Sequence, residues 1–403
     1  MERSLPPSQR SLSGLDWFTF FLGDLQTGFG PFIAVYLVTQ KWNQTDIGLI
    51  LSIGAIASLL SQIPAGALID AVRSERSAAA AAVLAIGAAA FIIAVLPIFV
   101  AVAAARALQS VASAVLNPAI AAISLGLAGR AALAERLGRN ARFASAGNGA
   151  AAAVMGACGH FLSAQAVFFV TAAFAIPALA ALLHIRNSEV NPVSAHGGSC
   201  DERSAGILPG LALLAGKRNL WLFAAVIILF QMANTPMLPL AGSELTMQAG
   251  GWAVALVAIC IVLPQILVAL FSPWVGKLAR SIGRRPLLLA ALFVLPVRGL
   301  LFALFSGPSS IVAVQMLDAV PAAVLGVLIP LVIADIAYGT GHFNLAQGVM
   351  GMAGGVAAAI STPAAGYIAD CFGEHAAFLS LAATAGFGFL LVLLFPETRP
   401  AEE

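Results

Sequence analysis

Asp24 and Arg106 are the residues of this chain best placed to do chemistry, because each sits inside a long apolar run. A carboxylate in such a run is costly unless it faces a cavity or takes up a proton, so Asp24 suits reversible proton binding or a counter-charge. Asp24, Thr27, Gly28 and Pro31 follow i, i+3, i+4, i+7 spacing and share one helix face. Arg106 stays charged at any physiological pH. It can bind an anion or tune a carboxylate, but it cannot carry the proton itself. Arg106, Gln109, Ser110, Ser113 and Asn117 form a single stripe at helical spacing. Packing against lipid or apolar helices needs no continuous polar stripe, so it reads as the lining of a site.

A second group lies further on. Asp318 and Gln315 share one apolar run, and Arg298 lies in the run before it. Asp318 has two candidate partners. Pairing with Arg106 would occupy Asp318 and leave Asp24 as the proton carrier, whereas pairing with Arg298 would keep the charge inside its own part of the chain. Arg298 also has a bland reading, with its long side chain snorkelling to the headgroups. Gln231 and Asn234 share a face ahead of Pro236 and Pro239, which permit a bend. These two amides are candidate ligand contacts, though amides also bond helix to helix. His160 and His184 sit near the ends of runs and read as ordinary polar residues.

The elements that hold these residues follow from hydropathy and charge. Hydrophobic residues make up 60% of the chain and charged residues 9%, whereas a soluble domain carries about 25% charged residues. Twelve stretches of about 20 apolar residues can be drawn, each long enough to cross a bilayer as a helix. Seventeen of the twenty Lys and Arg residues fall in every second gap between them. Basic residues resist translocation, so an even number of crossings with both termini cytoplasmic is expected. Residues 128–141, with Arg130, Arg136 and Arg139, read as a cytoplasmic loop. Residues 187–218 are polar and read as a flexible linker between an N-terminal half, 1–186, and a C-terminal half, 219–403. The halves resemble each other at an offset of about 210: Gly66 answers Gly276, and Pro118 answers Pro330.

Several classes are excluded. The net charge is +2, with no basic tract to follow a nucleic acid. No nucleophile elbow or phosphate-binding loop occurs, so no enzyme is read here and energy would come from an ion gradient or from the substrate's own gradient. No Cys or His spacing fits a metal. No cofactor is expected. Cys158, Cys200, Cys260 and Cys371 read as free thiols. The polar start and the long first apolar run do not fit a cleavable signal.

The loop after the second span, with Gly66, Asp70, Arg73 and Arg76, resembles the loop signature of the major facilitator superfamily. The loop after the eighth span, with Gly276, Arg280, Gly283, Arg284 and Arg285, is similar, with Arg280 where the signature has aspartate. Arg106 and Gln109, with Pro118 downstream, resemble the arginine motif of proton-coupled members. Gly147, Gly149, Gly156 and Gly159 resemble the glycine-rich fifth span of antiporters, without its Gly-Pro pair.

The resemblance implies an all-α fold of twelve transmembrane helices in two six-helix halves. It implies secondary transport of a small molecule by alternating access, and proton-coupled export is the expectation. Asp24, Arg106 and Asp318 would couple protons. Arg106, Gln109, Asn117, Gln231, Asn234, Arg298 and Gln315 would contact substrate, and the two loop clusters would gate. Uptake by symport or uniport is the alternative within transport, and a receptor or a channel the alternative outside it. Short loops suit a monomer in a bacterial inner membrane.

Overall fold

The computed structural model describes residues 7–27, 31–198, 207–249 and 252–399. These residues are 88% helical with no strand among them. The chain opens with α1 (Gln9–Thr27) and α2 (Pro31–Thr39), separated by 28–30, which lie outside the described residues. There follow α3 (Gln44–Ala71), α4 (Glu75–Val95), α5 (Phe99–Phe161) and α6 (Ala164–His184). Side chains of Asn43, Ser74 and Ser163 accept from backbone N–H groups one turn on and cap α3, α4 and α6.

The 63-residue α5 is two helices joined at Gly129, whose φ of 65° and ψ of 173° are non-helical. A side chain there would be strained. The expected loop over 128–141 is therefore wrong: the chain turns at one residue, and the Arg-rich stretch is already helix.

The linker contains short α7 (Pro192–Ala195) and α8 (Ile207–Ala215), with 199–206, and so Cys200, outside the described residues. Its described parts are docked, against the expectation of a flexible strap. The Asn191 N–H donates to Gly126 O at 3.0 Å, and the Gly339 N–H donates to Gly197 O at 2.8 Å. The segment thus bonds to the chain on both sides of itself.

The remaining helices are α9 (Arg218–Asn234), α10 (Met237–Ala249), α11 (Ala253–Ser281), α12 (Arg285–Leu304), α13 (Pro308–Gln315), α14 (Ala319–Ile336), α15 (Phe343–Phe372) and α16 (Glu374–Leu393). Thr235 and Pro236 separate α9 from α10, and the missing Pro236 N–H favours the interruption. A short 3-10 turn, Met316–Asp318, joins α13 to α14.

One hydrophobic core runs from Leu15 to Ala195. The other runs mainly from Leu214 to Phe395 and takes in Leu133, Ala134 and Leu137 from α5. Large apolar side chains such as Leu60, Ile176 and Phe387 are exposed on the outside of the bundle, where hydrocarbon would meet them. Ten described segments are long and apolar enough to cross a membrane, and one of them, Phe99–Gly159, contains the break at Gly129. The protein is an integral, multi-pass membrane protein.

Candidate functional site

The polar stripe of α5 lines a cavity of about 380 Å³. Arg106 Nη1 donates to Gln109 Oε1, and Gln109 Nε2 donates to Ser113 Oγ at 2.9 Å. Gly54, Ser58 and Gln62 of α3 form the facing wall. A side chain at Gly54 would run into the Arg106 guanidinium, so that group lies against bare α3 backbone. Asn117 also lines a second cavity of about 390 Å³. That cavity takes Thr19 and Gly23 from α1, Asn140 and Asn148 from α5, Val268 from α11, Gly326 from α14 and Gln347 from α15. Both halves of the chain therefore contribute. Arg106 is the one charged residue lining either cavity among the described residues.

Arg298 has the opposite surroundings. It is 1% exposed, so it does not snorkel. Its Nη1 donates to Asp318 Oδ1 and to Asn234 Oδ1 at 2.7 Å, and its Nη2 donates to Gln315 Oε1 at 3.1 Å. Of the two partners open to Asp318, the structure selects Arg298. The 3-10 turn carries the carboxylate towards α12. The cluster gathers three expected substrate contacts, Asn234, Arg298 and Gln315, with Asp318, and its guanidinium is paired and enclosed. Gln231 packs beside Gly354 of α15, apart from the Arg106 stripe. The Asp24 side chain lies outside the described residues, as do those of Thr27, Gly28, Pro31 and His160. His184 Nδ1 stands 2.8 Å from Ala180 O.

The gating clusters meet at the end of the molecule that holds the linker. Asp70 accepts from the Asn344 N–H at 3.1 Å, Asn344 Nδ2 at 2.8 Å and the Leu345 N–H at 2.8 Å. A carboxylate on the first turn of α15 satisfies donors that no helix can satisfy internally. Arg280 Nη1 lies 3.0 Å from Glu135 Oε1, joining α11 to α5. Gly66 and Gly276 bring backbones together here, since a Cβ on either would strike main-chain atoms of Asn344 or Ala134. Arg76 Nη1 donates to Ile185 O at 2.5 Å, within the first half. Arg284 Nε lies 3.0 Å from Asp335 Oδ2, and the Arg284 and Arg285 N–H groups donate to Glu397. These hold the second half together. Gly283, at φ 99°, makes that turn.

Three features escaped sequence reading. Buried Asp16 pairs with both Arg136 and Arg139. Asp16, eight residues before Asp24, and the i, i+3, i+4 face of Arg136, Arg139 and Asn140 were the available signals. Arg130 lies over the Tyr338 ring at 3.7 Å and 3.6 Å from Asp335 Oδ1, crossing between halves. In the linker, His196 Nε2 stands 3.0 Å from Glu75 Oε1. Burial lowers the His196 pKa, but the Glu75 hydrogen bond and charge outweigh it, and the net position is above the usual His value. Among the described residues no His, Cys, Asp and Glu group could hold a metal, and Cys158, Cys260 and Cys371 are free thiols.

Packing at the glycines of α5 and α15 changes along the helices. On α5, a Cβ at Gly138 would hit Ser272 O, yet at Gly149 and Gly156 it would meet nothing within 4 Å. On α15, Gly348 abuts the Gln62 backbone while Gly366 faces open space. The close approaches of α5 to α11 and of α15 to α3 therefore lie towards the linker end.

The family model described as Major Facilitator Superfamily matches residues 15–263 and 232–403. An uncharacterized MFS-type transporter of Mycobacterium tuberculosis is 37% identical over 398 residues, covering 98% of this chain and 95% of that protein. Among solved structures, the MFS transporter FucP in its outward conformation superposes with a TM-score of 0.75 at 16% identity, covering 96% of this chain and 98% of FucP. The human organic anion transporter MFSD10 gives 0.75 at 17% identity, covering 96% of this chain and 100% of that one. A long family match, a relative well above 30% identity and the two-half helical bundle agree: the chain belongs to the Major Facilitator Superfamily and is a secondary transporter.

Proposed function

We propose that the protein exports a small molecule by proton-coupled antiport, working by alternating access between two six-helix halves. One observation carries the reading: two cavities share Asn117, one lined by both halves and the other by the Arg106 guanidinium, and the halves approach each other closely towards the linker end. Twelve crossings follow when Phe99–Gly159 is taken as two and α1 with α2 as one. The halves are residues 1–186 and 219–403. The linker end faces the cytoplasm, in line with the basic residues gathered there. The Asp70 contact with α15 and the Arg280–Glu135 pair break when the halves rock.

Asp24 is the proton carrier, supported by its place in α1 beside Gly23, which lines the larger cavity. Protons from the open side load Asp24 and release substrate there. Asp24 gives up its proton when the cavity opens to the cytoplasm. The Arg298–Asp318 cluster holds the second half rigid and does not exchange protons. The protein acts as a monomer in a bacterial inner membrane.

Proteoliposomes under an imposed pH gradient test this, using a substrate found by growth inhibition in an efflux-deficient host. Wild type should move it uphill against the proton flux. Asp24→Asn should lose the uphill flux and keep substrate exchange. Full uphill transport in Asp24→Asn, or flux in the same direction as protons, overturns the export reading.

A further inference from the structure

We propose that the Arg106 cavity seats the anionic head of an amphipathic organic monoanion, whose apolar body extends past Asn117 into the larger cavity. This deepens the transport reading and rests on it for the site, though not for the chemistry.

Among the described residues the charge at Arg106 has no counter-charge. Among the described residues no carboxylate lies within ion-pair distance of it, and its Nε has no hydrogen-bond partner. The Nε of Arg298 is also unpartnered, so the deciding difference is the carboxylate, which Arg298 has and Arg106 lacks. A guanidinium partly withdrawn from water without a counter-charge is disfavoured. Buried carboxylates elsewhere in the helices are engaged: Asp16 by Arg136 and Arg139, Asp318 by Arg298, Asp335 by Arg284 and Arg130. A ligand that brings a negative charge relieves the cost at Arg106.

The lining fixes the class further. The planar fork of Arg matches a carboxylate or sulfonate with two parallel N–H···O bonds. Ser110, Ser113 and Gln62 stand around it as additional donors. With a single cationic residue in both cavities, a monoanion is balanced and a phosphate dianion is not. Beyond Asn117 the walls become apolar, with Ile120, Leu137, Val268, Leu325 and Ile329. Each cavity falls within the size that holds a small organic molecule, about 300–1,000 Å³. Charge and grease therefore meet at one residue, Asn117, which faces both.

The test is arginine modification by phenylglyoxal on the purified full-length chain in detergent, read by peptide mass spectrometry. Phenylacetate is the probe and phenylacetamide its neutral match. Arg106 should react at least about tenfold faster than Arg298, the difference expected when one site is shielded by 1.4 kcal/mol or more. Phenylacetate in large excess should slow Arg106 modification several-fold, and phenylacetamide should not. In parallel, phenylacetate should raise the Tm of wild type, keep part of that effect in Arg106→Lys, and lose it in Arg106→Gln.

Equal protection by acid and amide overturns the proposal, as does an Arg106 no more reactive than Arg298. So does an Arg106 that reacts only in Asp24→Asn, which would make Asp24 its partner. If phenylacetate protects but no substrate moves in vesicles, the anion seat stands and the transport reading falls. If transport stands and the amide protects as well as the acid, the anion proposal alone falls.

Discussion

Arg106 and Arg298 are the same residue type in similar apolar runs, and the protein treats them in opposite ways. Arg298 meets Asp318, Asn234 and Gln315 and is closed off from solvent. Arg106 meets Gln109 on its own helix and fronts a cavity. A buried charge paired with a carboxylate is a fixture, and taking one partner away leaves the other stranded. A charge with a cavity in place of a partner is held ready for something that arrives. Position in the sequence does not separate the two cases, whereas the company each keeps does.

The largest expected effect follows from breaking the paired site. Arg298→Ala should destabilise the protein by about 3–5 kcal/mol, because Asp318 is left uncompensated. Arg298→Met combined with Asp318→Leu should recover most of that loss. Arg106→Gln should cost less than about 1 kcal/mol, since no buried acid is orphaned. Thermal unfolding in detergent compares all three. An Arg106→Gln variant as unstable as Arg298→Ala would erase the distinction.

Next in size is the linker-end seal. Asp70→Ala removes a carboxylate accepting three hydrogen bonds at the start of α15 and should weaken closure by about 1–3 kcal/mol. A cysteine at Asn117 should then become reactive from the linker side.

A smaller effect concerns pH. Glu75 and Asp70 face His196 from α4 and α3 and hold its pKa above the usual His value. The clasp between linker and α4 is therefore complete below pH about 6.5 and is lost as pH rises through the raised value. Hydrogen exchange over 190–198, corrected for intrinsic rate, should quicken on that rise, and His196→Gln should flatten the change. The smallest effect belongs to Gly54→Ala, which should push the guanidinium aside, weaken phenylacetate protection of Arg106 and leave Tm nearly unchanged.

Much of this was legible in the sequence. The spans show as apolar runs, and the α5 stripe shows because helical spacing alone puts Arg106 and Asn117 on one face. Gly66 and Gly276 showed as answering positions of two similar loops, but that each lies against backbone of the other half did not. Partner choice was not legible. Asp318 turns to Arg298 through a 3-10 turn that no hydropathy pattern records. Residues 130–141 read as a loop because Arg136 and Arg139 look solvated, and the acid that neutralises them, Asp16, lies more than a hundred residues away. The linker read as flexible because its Pro, Gly and Ser content hides a capped turn at Asn191. Asp24 stays a sequence inference, since its side chain is outside the described residues.

Alternating access to the Arg106 cavity can be tested without knowing the substrate. In a cysteine-free background, Glu135→Cys and Arg280→Cys are cross-linked to lock the linker end, and a cysteine at Asn117 is probed with a membrane-impermeant thiol reagent from each side of sealed vesicles. The account expects labelling from both sides before cross-linking and only from the side opposite the linker after it, with reduction restoring both. Labelling from the linker side while the lock holds would contradict it.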